Sequence, residues 1–174
     1  MLSCEEIMAV SSITSTEFRR AMGHFATGVT VVTVEREAGH VHGMTANSFA
    51  SVSLEPPLVS VCVDHRARLL PLLKEKQRFG VNVLKREQRL YSEFFAGIEQ
   101  DCEAQERLGV KFDWTPEKIP LLENALCQLS CKLSGLHVAG DHTIVIAEVE
   151  AAKFFDGEPL LFYRGRYHCI SENP

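Results

Sequence analysis

Hydrophobic and polar residues alternate in strand-length runs along most of this chain, and helical spacing is confined to three stretches. The first begins with Thr14 and Glu17, which have capping-box spacing, and continues with Phe18, Ala21, Met22 and Phe25 at i, i+3, i+4 and i+7. This predicts an amphipathic helix closed by Thr27-Gly28, preceded by a weakly patterned arm over residues 1–13. From Val29 the run VTVVTV is β-branched and too short for a typical helix. It predicts a buried strand ending in Glu35-Arg36-Glu37, a turn at Gly39, and a returning strand over Val41 to Thr45.

The next segment, ANSFASVSLEPP, has the Ser, Asn and Pro content of a structured loop, and Leu58 to Val63 reads as a fully buried strand. Residues 69–77 (LLPLLKEKQ) predict a short helix with Pro71 in its first turn, where the missing N–H does no harm. Phe79 to Leu84 is again a strand. Arg86 to about Gly109 looks helical and charged, and the stretch through Trp114, Pro116 and Pro120 looks irregular. ALCQLSCKLSGLHV and HTIVIAEVEAAKFF alternate as two long strands joined at Ala139-Gly140-Asp141. Leu160 to Tyr163 and Tyr167 to Ile170 supply short last strands around Arg164-Gly165. Successive hairpins with few helices favour an antiparallel barrel over a doubly wound α/β sheet.

A length of 174 residues suits one domain that buries its core without staples, here residues 14–174 after the arm. A formal net charge of −5 gives no basis for holding a nucleic-acid backbone. No apolar run is long enough to span a bilayer, and MLSCEEIMAV lacks the basic flank of a secretory leader, so the expected compartment is the cytoplasm. The six cysteines form no C-x-x-C pair, so free thiols and no metal site are expected.

Neither G-x-G-x-x-G nor a Walker A loop occurs, so a bound nucleotide would need another cradle. Two loops could supply it. Met44 to Ser53 is rich in small residues and hydroxyls that leave backbone N–H groups accessible, and Asp64-His65-Arg66-Ala67-Arg68 offers arginines to a phosphate. Serines beside Pro56-Pro57 are equally the material of turns, and arginines before a helix are commonly solvated. His142 follows Gly140-Asp141 at a hairpin mouth, and Tyr163-Arg164-Gly165-Arg166-Tyr167 could cap a pocket or form an exposed turn.

Taken in order, FRRAMGHFATGVTVVT, HGMTANSFASVSLEPPLVSVCVD, FGVNVL, GDHTIVIAEVEA and FYRGRY resemble the FMN-binding split-barrel flavin reductases, the small components of two-component oxygenases. The resemblance spans roughly residues 17–170. It implies a mainly β fold, an antiparallel split barrel of Greek-key type with a few flanking helices, and a homodimer. It also implies FMN or FAD as flavin, NADH or NADPH as cosubstrate, and a separate oxygenase as partner. Met44, Thr45, Ala46, Asn47 and Ser48 would line the isoalloxazine, while Ser51, Arg66, Ala67 and Arg68 would reach ribityl and phosphate oxygens. Cys62, Val63 and Asp64 would close one side of the ring, with Phe79, Gly80 and Asn82 nearby. His142 would stand beside the nicotinamide, and Tyr163 and Arg164 would shape the far end. Many relatives carry a serine or threonine in the turn that here reads His65-Arg66-Ala67-Arg68-Leu69, and this departure leaves the choice of FMN or FAD open.

The implied reaction is hydride transfer from nicotinamide to flavin N5, which depends on stacked rings more than on an acid or base. Two other readings keep the barrel. One is an FMN-containing reductase of another acceptor, such as a corrinoid or ferric complex, and the other is a flavin-binding module without turnover.

Overall fold

The computed structural model of the chain describes residues 13–37, 39–97 and 100–170. The arm expected over 1–13 lies, except for Ile13, outside the described residues. Helix α1 (Ser15–Met22) opens with the predicted capping box: Glu17 N–H donates to Thr14 Oγ1 at 3.2 Å, and Thr14 N–H donates to Glu17 Oε2 at 2.9 Å. It closes at Gly23, earlier than the sequence suggests, because Thr27 and Gly28 form the short strand β1 (Thr27–Gly28) against Phe162 and Leu161.

Strands β2 (Thr30–Glu37) and β3 (His40–Ala46) make the expected hairpin, with Gly39 at a φ of 82°. Val32 and Val34 face one apolar core, while Val29 and Val31 face the other. Burial on both faces explains why this stretch is a continuous apolar run. The segment expected as a loop contains strand β4 (Ala50–Leu54), paired with β5 (Pro57–Asp64). β4 is an edge strand with mostly exposed side chains, Leu54 at 89%, so backbone pairing holds it where apolar patterning gave little signal. β5 is not fully buried as expected: Val61 and Val63 are buried in the core, while Val59 packs against it only partly buried.

Helix α2 (Leu69–Lys76) buries Leu69, Leu70 and Leu73 and leads into β6 (Arg78–Val83). The region expected as one charged helix divides at Gly97 into α3 (Arg89–Ala96) and α4 (Cys102–Arg107), the latter capped by Asp101, whose carboxylate accepts the Ala104 N–H at 2.6 Å. The stretch expected to be irregular carries β7 (Phe112–Trp114) and β8 (Pro120–Leu122), a pairing too short to show a period. Strands β9 (Cys127–Ala139) and β10 (His142–Phe154) form the long hairpin, and β11 (Leu161–Tyr163) with β12 (Arg166–His168) close the described chain.

The main sheet has seven antiparallel strands in the order β3-β2-β6-β9-β10-β5-β4. Its two edge strands, β3 and β4, are consecutive in the chain and separated only by residues 47–49. Four peptide steps from Ala46 to Ala50 reach at most about 14 Å. In a flat sheet six strand spacings would put the edges roughly 29 Å apart. The sheet therefore curls until its edges approach, yet no ladder hydrogen bonds join β3 to β4, and it remains open. α2 packs against the core of Val32, Val61, Val63, Phe79, Val81 and Val145, and Phe95 of α3 belongs to the second core with Val29, Val31 and Leu122.

Asn82 ties three strands together. It is fully buried, its Nδ2 donates to Val31 O at 2.9 Å and to Thr33 Oγ1 at 3.0 Å, and its Oδ1 accepts the Leu122 N–H at 2.8 Å. Replacing Asn82 by alanine strands that N–H in the core, and urea unfolding should show a loss of about 2–3 kcal/mol with an unchanged m-value. A loss below about 0.5 kcal/mol, within the range of an ordinary surface substitution, would show that the network carries no stability.

Candidate functional site

Three chain reversals meet where the sheet edges approach. The first is the β3–β4 connection. Ser48 fastens it across to β5: its hydroxyl accepts the Cys62 N–H at 3.1 Å and donates to Cys62 O at 3.3 Å. Thr30 Oγ1 donates to Ala46 O and Thr45 Oγ1 to Ser92 O, each at 2.7 Å, so the end of β3 is held from both sides. These hydroxyls serve the backbone, which leaves Asn47, Met44 and the main chain of this segment to face a ligand.

The second reversal is the turn between β5 and α2. Arg66 grips Asp64 with its N–H and Nε on Oδ1 at 2.8 and 3.1 Å and its Nη2 on Oδ2 at 2.8 Å. These hydrogen bonds hold the Asp64 carboxyl well below the ordinary carboxylate range. Arg68 makes no ion pair among the described residues, so it is the freer cation of the two toward a phosphate. The third reversal is the β9–β10 turn. β10 pairs with β5 so that His142 lies opposite Asp64, and the His65 N–H donates to Asp141 O at 3.0 Å. His142 Nδ1 lies 2.7 Å from Asp141 Oδ1, and this contact lowers the Asp141 pKa. A proton on Nδ1 leaves Nε2 free.

The first two reversals enclose a cavity of about 360 Å³ lined by His42, Gly43, Met44, Thr45, Arg66 to Leu69, Phe95 to Gly97 and Gln100. An adjoining one of about 200 Å³ is lined by Val29, Thr45, Asn47, Ser92, Ala96, Phe162 and Tyr167. Together they fall in the size range of small-molecule sites, with apolar walls for a ring and a cation for a phosphate, so a flavin fits the residues present. Met44, Thr45, Asn47, Arg66, Ala67 and Arg68 are thus brought together. Ala46 and Val63 turn their side chains into the core, Cys62 is half-buried beside Ser48, and Ser51 lies exposed on edge strand β4.

Five expected residues lie elsewhere. Phe79 and Asn82 are buried and line neither of these cavities, and Gly80 sits so close to Thr33 and Pro120 that a Cβ would come within 2.6 Å of the Pro120 carbonyl oxygen. Their pattern reflects packing. Arg164 lines a different cavity, with Arg19, Arg20, Gly23, His24 and Gly165, and the preceding Tyr163 lies under its guanidinium at 5.2 Å. A further concavity of about 480 Å³, with Trp114 and the Arg78–Glu150 ion pair in its wall, shares none of the residues of the first two.

Sequence reasoning missed His42, Phe95 and Gln100. Gln100 accepts the Gly43 N–H at 3.0 Å, and a Cβ on Gly43 would enter the Phe95 ring. Only the glycine hinted at that close approach.

The class this defines is a curled antiparallel β protein with a groove of small-molecule size beside edge strand β3 and the β5–α2 turn. The chain belongs to the family described as the flavin reductase like domain, which matches residues 22–171. It is 41% identical over 160 residues to an NADH-dependent flavin reductase of a Rhodococcus species, covering 91% of this chain and 88% of that one. It is 40% identical over 154 residues to the reductase component of 4-hydroxyphenylacetate 3-monooxygenase of Thermus thermophilus, covering 88% of this chain and 95% of that one. The solved NADH:FAD oxidoreductase SgcE6 of Streptomyces globisporus, in complex with NAD and FAD fragments, superposes with a TM-score of 0.82 at 38% identity, covering 91% of this chain and 93% of that one.

Burial, then the charges of Arg36 and Arg68, lower the His42 pKa, so the folded chain keeps it neutral where an unfolded histidine takes a proton near pH 6.5. Stability is therefore lost as pH falls through about 6.5 toward the lower folded value. His42→Gln should lose less stability than the parent between about pH 7 and pH 5.5, measured by urea unfolding at each pH. Equal pH slopes in the two proteins would contradict this.

Proposed function

We propose that this chain is an NADH-dependent flavin reductase that supplies reduced FMN or FAD to a separate monooxygenase. The observation that carries the reading is the convergence of the β3–β4 connection and the β5–α2 turn on one cavity, so that Met44, Thr45, Arg66, Ala67 and Arg68 share its wall. The relatives named above support the direction of electron flow, from NADH to flavin. The Thermus relative is a component of a two-part monooxygenase, which supports a separate oxygenase as consumer.

Met44 and Asn47 flank the ring, the backbone of residues 43–48 meets its polar edge, and Arg68 takes the phosphate. Held there, flavin would supply the hydride-accepting ring that links the nicotinamide to the oxygenase. The protein contributes placement: Asp141 fixes His142 through Nδ1, leaving Nε2 to orient the nicotinamide amide or ribose. Ser48 holds the ring-binding segment against β5, and Arg66, engaged by Asp64, shapes the turn that carries Arg68.

The short link between the sheet edges favours a split barrel over a flat open sheet. Phe18, Met22 and Phe25 of α1 and the turn after it are 53%, 55% and 74% exposed, and an apolar face of this kind supports a homodimer. No helix among the described residues is long and apolar enough to cross a membrane. The reading places the reductase in the cytoplasm, where NADH is available to it.

Oxidation of NADH by the purified protein should require added flavin, with FMN, FAD and riboflavin compared against no flavin. Flavin binding without turnover would replace the enzyme by a binding module. His142→Ala should lower kcat/KM for NADH roughly ten- to hundredfold while flavin affinity is unchanged. Full activity in that variant would remove His142 from the site.

A further inference from the structure

Most arginines near acidic neighbours in this chain are neutralised. Arg66 pairs with Asp64, Arg78 with Glu150, Arg86 with Glu158 and Arg89 with Glu93, at 2.8 to 3.0 Å. Arg19, Arg20 and Arg164 are different. Among the described residues none of them is in an ion pair, although the chain carries a formal net charge of −5. All three line one cleft of about 510 Å³, together with Gly23, His24 and Gly165.

The cleft is built by two elements locked together. The Arg164 N–H donates to Gly23 O at 2.9 Å, and this fixes the β11–β12 turn against the end of α1. His24 Nδ1 lies 2.7 Å from Arg20 O, which turns the imidazole back onto the helix end. Arg164 and Gly165 adopt φ values of 49° and 75°. A two-residue hairpin turn with both φ positive suits Asn-Gly, so an arginine at its first position is not the residue the turn itself would select. Its guanidinium lies 5.2 Å from the Tyr163 ring centre. Three guanidinium groups that line one cleft without a carboxylate partner suit the multiple negative charge of a phosphoryl ligand better than a single carboxylate. The volume exceeds what one tetrahedral oxyanion fills.

We infer that the cleft between α1 and the β11–β12 turn, with Arg19, Arg20 and Arg164 as its cations, binds the pyrophosphate unit of a nucleotide or free pyrophosphate. It is separate from the Arg68 position. It neighbours the groove, because Phe162 and Tyr167 of the same hairpin line the adjoining cavity, two strand residues or about 7 Å along the backbone from Arg164. The inference does not depend on turnover.

Isothermal titration of the full chain with pyrophosphate at low ionic strength tests it. Saturable binding that weakens with added salt is expected. The double variant Arg19→Gln/Arg20→Gln should bind at least about tenfold more weakly, and Arg19→Lys/Arg20→Lys, which keeps the charge and loses the planar forks, should fall between that variant and the parent. Arg164→Asn, which suits the turn, should keep or raise Tm while weakening pyrophosphate. Displacement of pyrophosphate by FAD but not FMN assigns the cleft to the adenylate end of the flavin. Displacement by NADH but not FMN assigns it to the nicotinamide dinucleotide, and displacement by neither assigns it to free pyrophosphate. No saturable binding, or equal affinity in the Gln/Gln variant, overturns the inference. A protein that turns over flavin yet ignores pyrophosphate fails here alone, whereas one that binds pyrophosphate without turnover fails only as a reductase.

Discussion

The connection of residues 47–49 is the constraint on which this structure turns. It joins the two edges of a seven-stranded sheet, and the chain is too short there to cross a flat one. Curling is thus imposed by topology, and the apolar faces of β2, β5, β6, β9 and β10 then enclose a common core capped by α2. The same constraint leaves a seam where β3 and β4 approach without pairing. Backbone groups along that seam have no ladder partner, which makes it a natural place for a ligand.

The rest of the site follows from register. β5 and β10 pair with His142 opposite Asp64, so the turn carrying Arg66 and Arg68 and the turn carrying His142 emerge together at one end of the sheet. Ser48 reaches Cys62 only because β4 folds back on β5, and this bond holds the β3–β4 connection to the same end. A groove enclosed by the first two of these reversals, with the His142 turn fixed beside Asp64, is pre-organised, as suits a reaction that depends on placement. The arginine cleft beside α1 extends the polar surface past Phe162 and Tyr167.

Much of this was legible in the sequence. The Thr14–Glu17 box, the apolar run at Val29, Pro71 in a first helical turn and the long hairpin about Gly140 all carry strong local signals, and each forms as read. β4 and the β7–β8 pair were not legible, because an exposed edge strand and a three-residue ladder rest on backbone hydrogen bonds that leave no apolar period. At the site, the Arg66–Arg68 turn was readable as an accessible loop, whereas Met44 to Ala46, expected to open a loop, continue strand β3. Asn82 and Gly80 look the same in sequence whether they touch a ligand or lock a core, and only the three hydrogen bonds of Asn82 and the crowding around Gly80 distinguish the two. His42 and Gln100 reach the groove through tertiary contacts 57 residues apart in the case of Gly43 and Gln100, a separation no local pattern records.

The most direct test of this arrangement is amide hydrogen exchange of the full chain with and without saturating FMN. Protection concentrated in residues 43–48 and 64–69 is the expected result, since Gly43 to Thr45, Asn47 and Arg66 to Leu69 line the groove. Protection at residues 113–117 and 150–153, around the Trp114 concavity, with the seam unchanged, would contradict it.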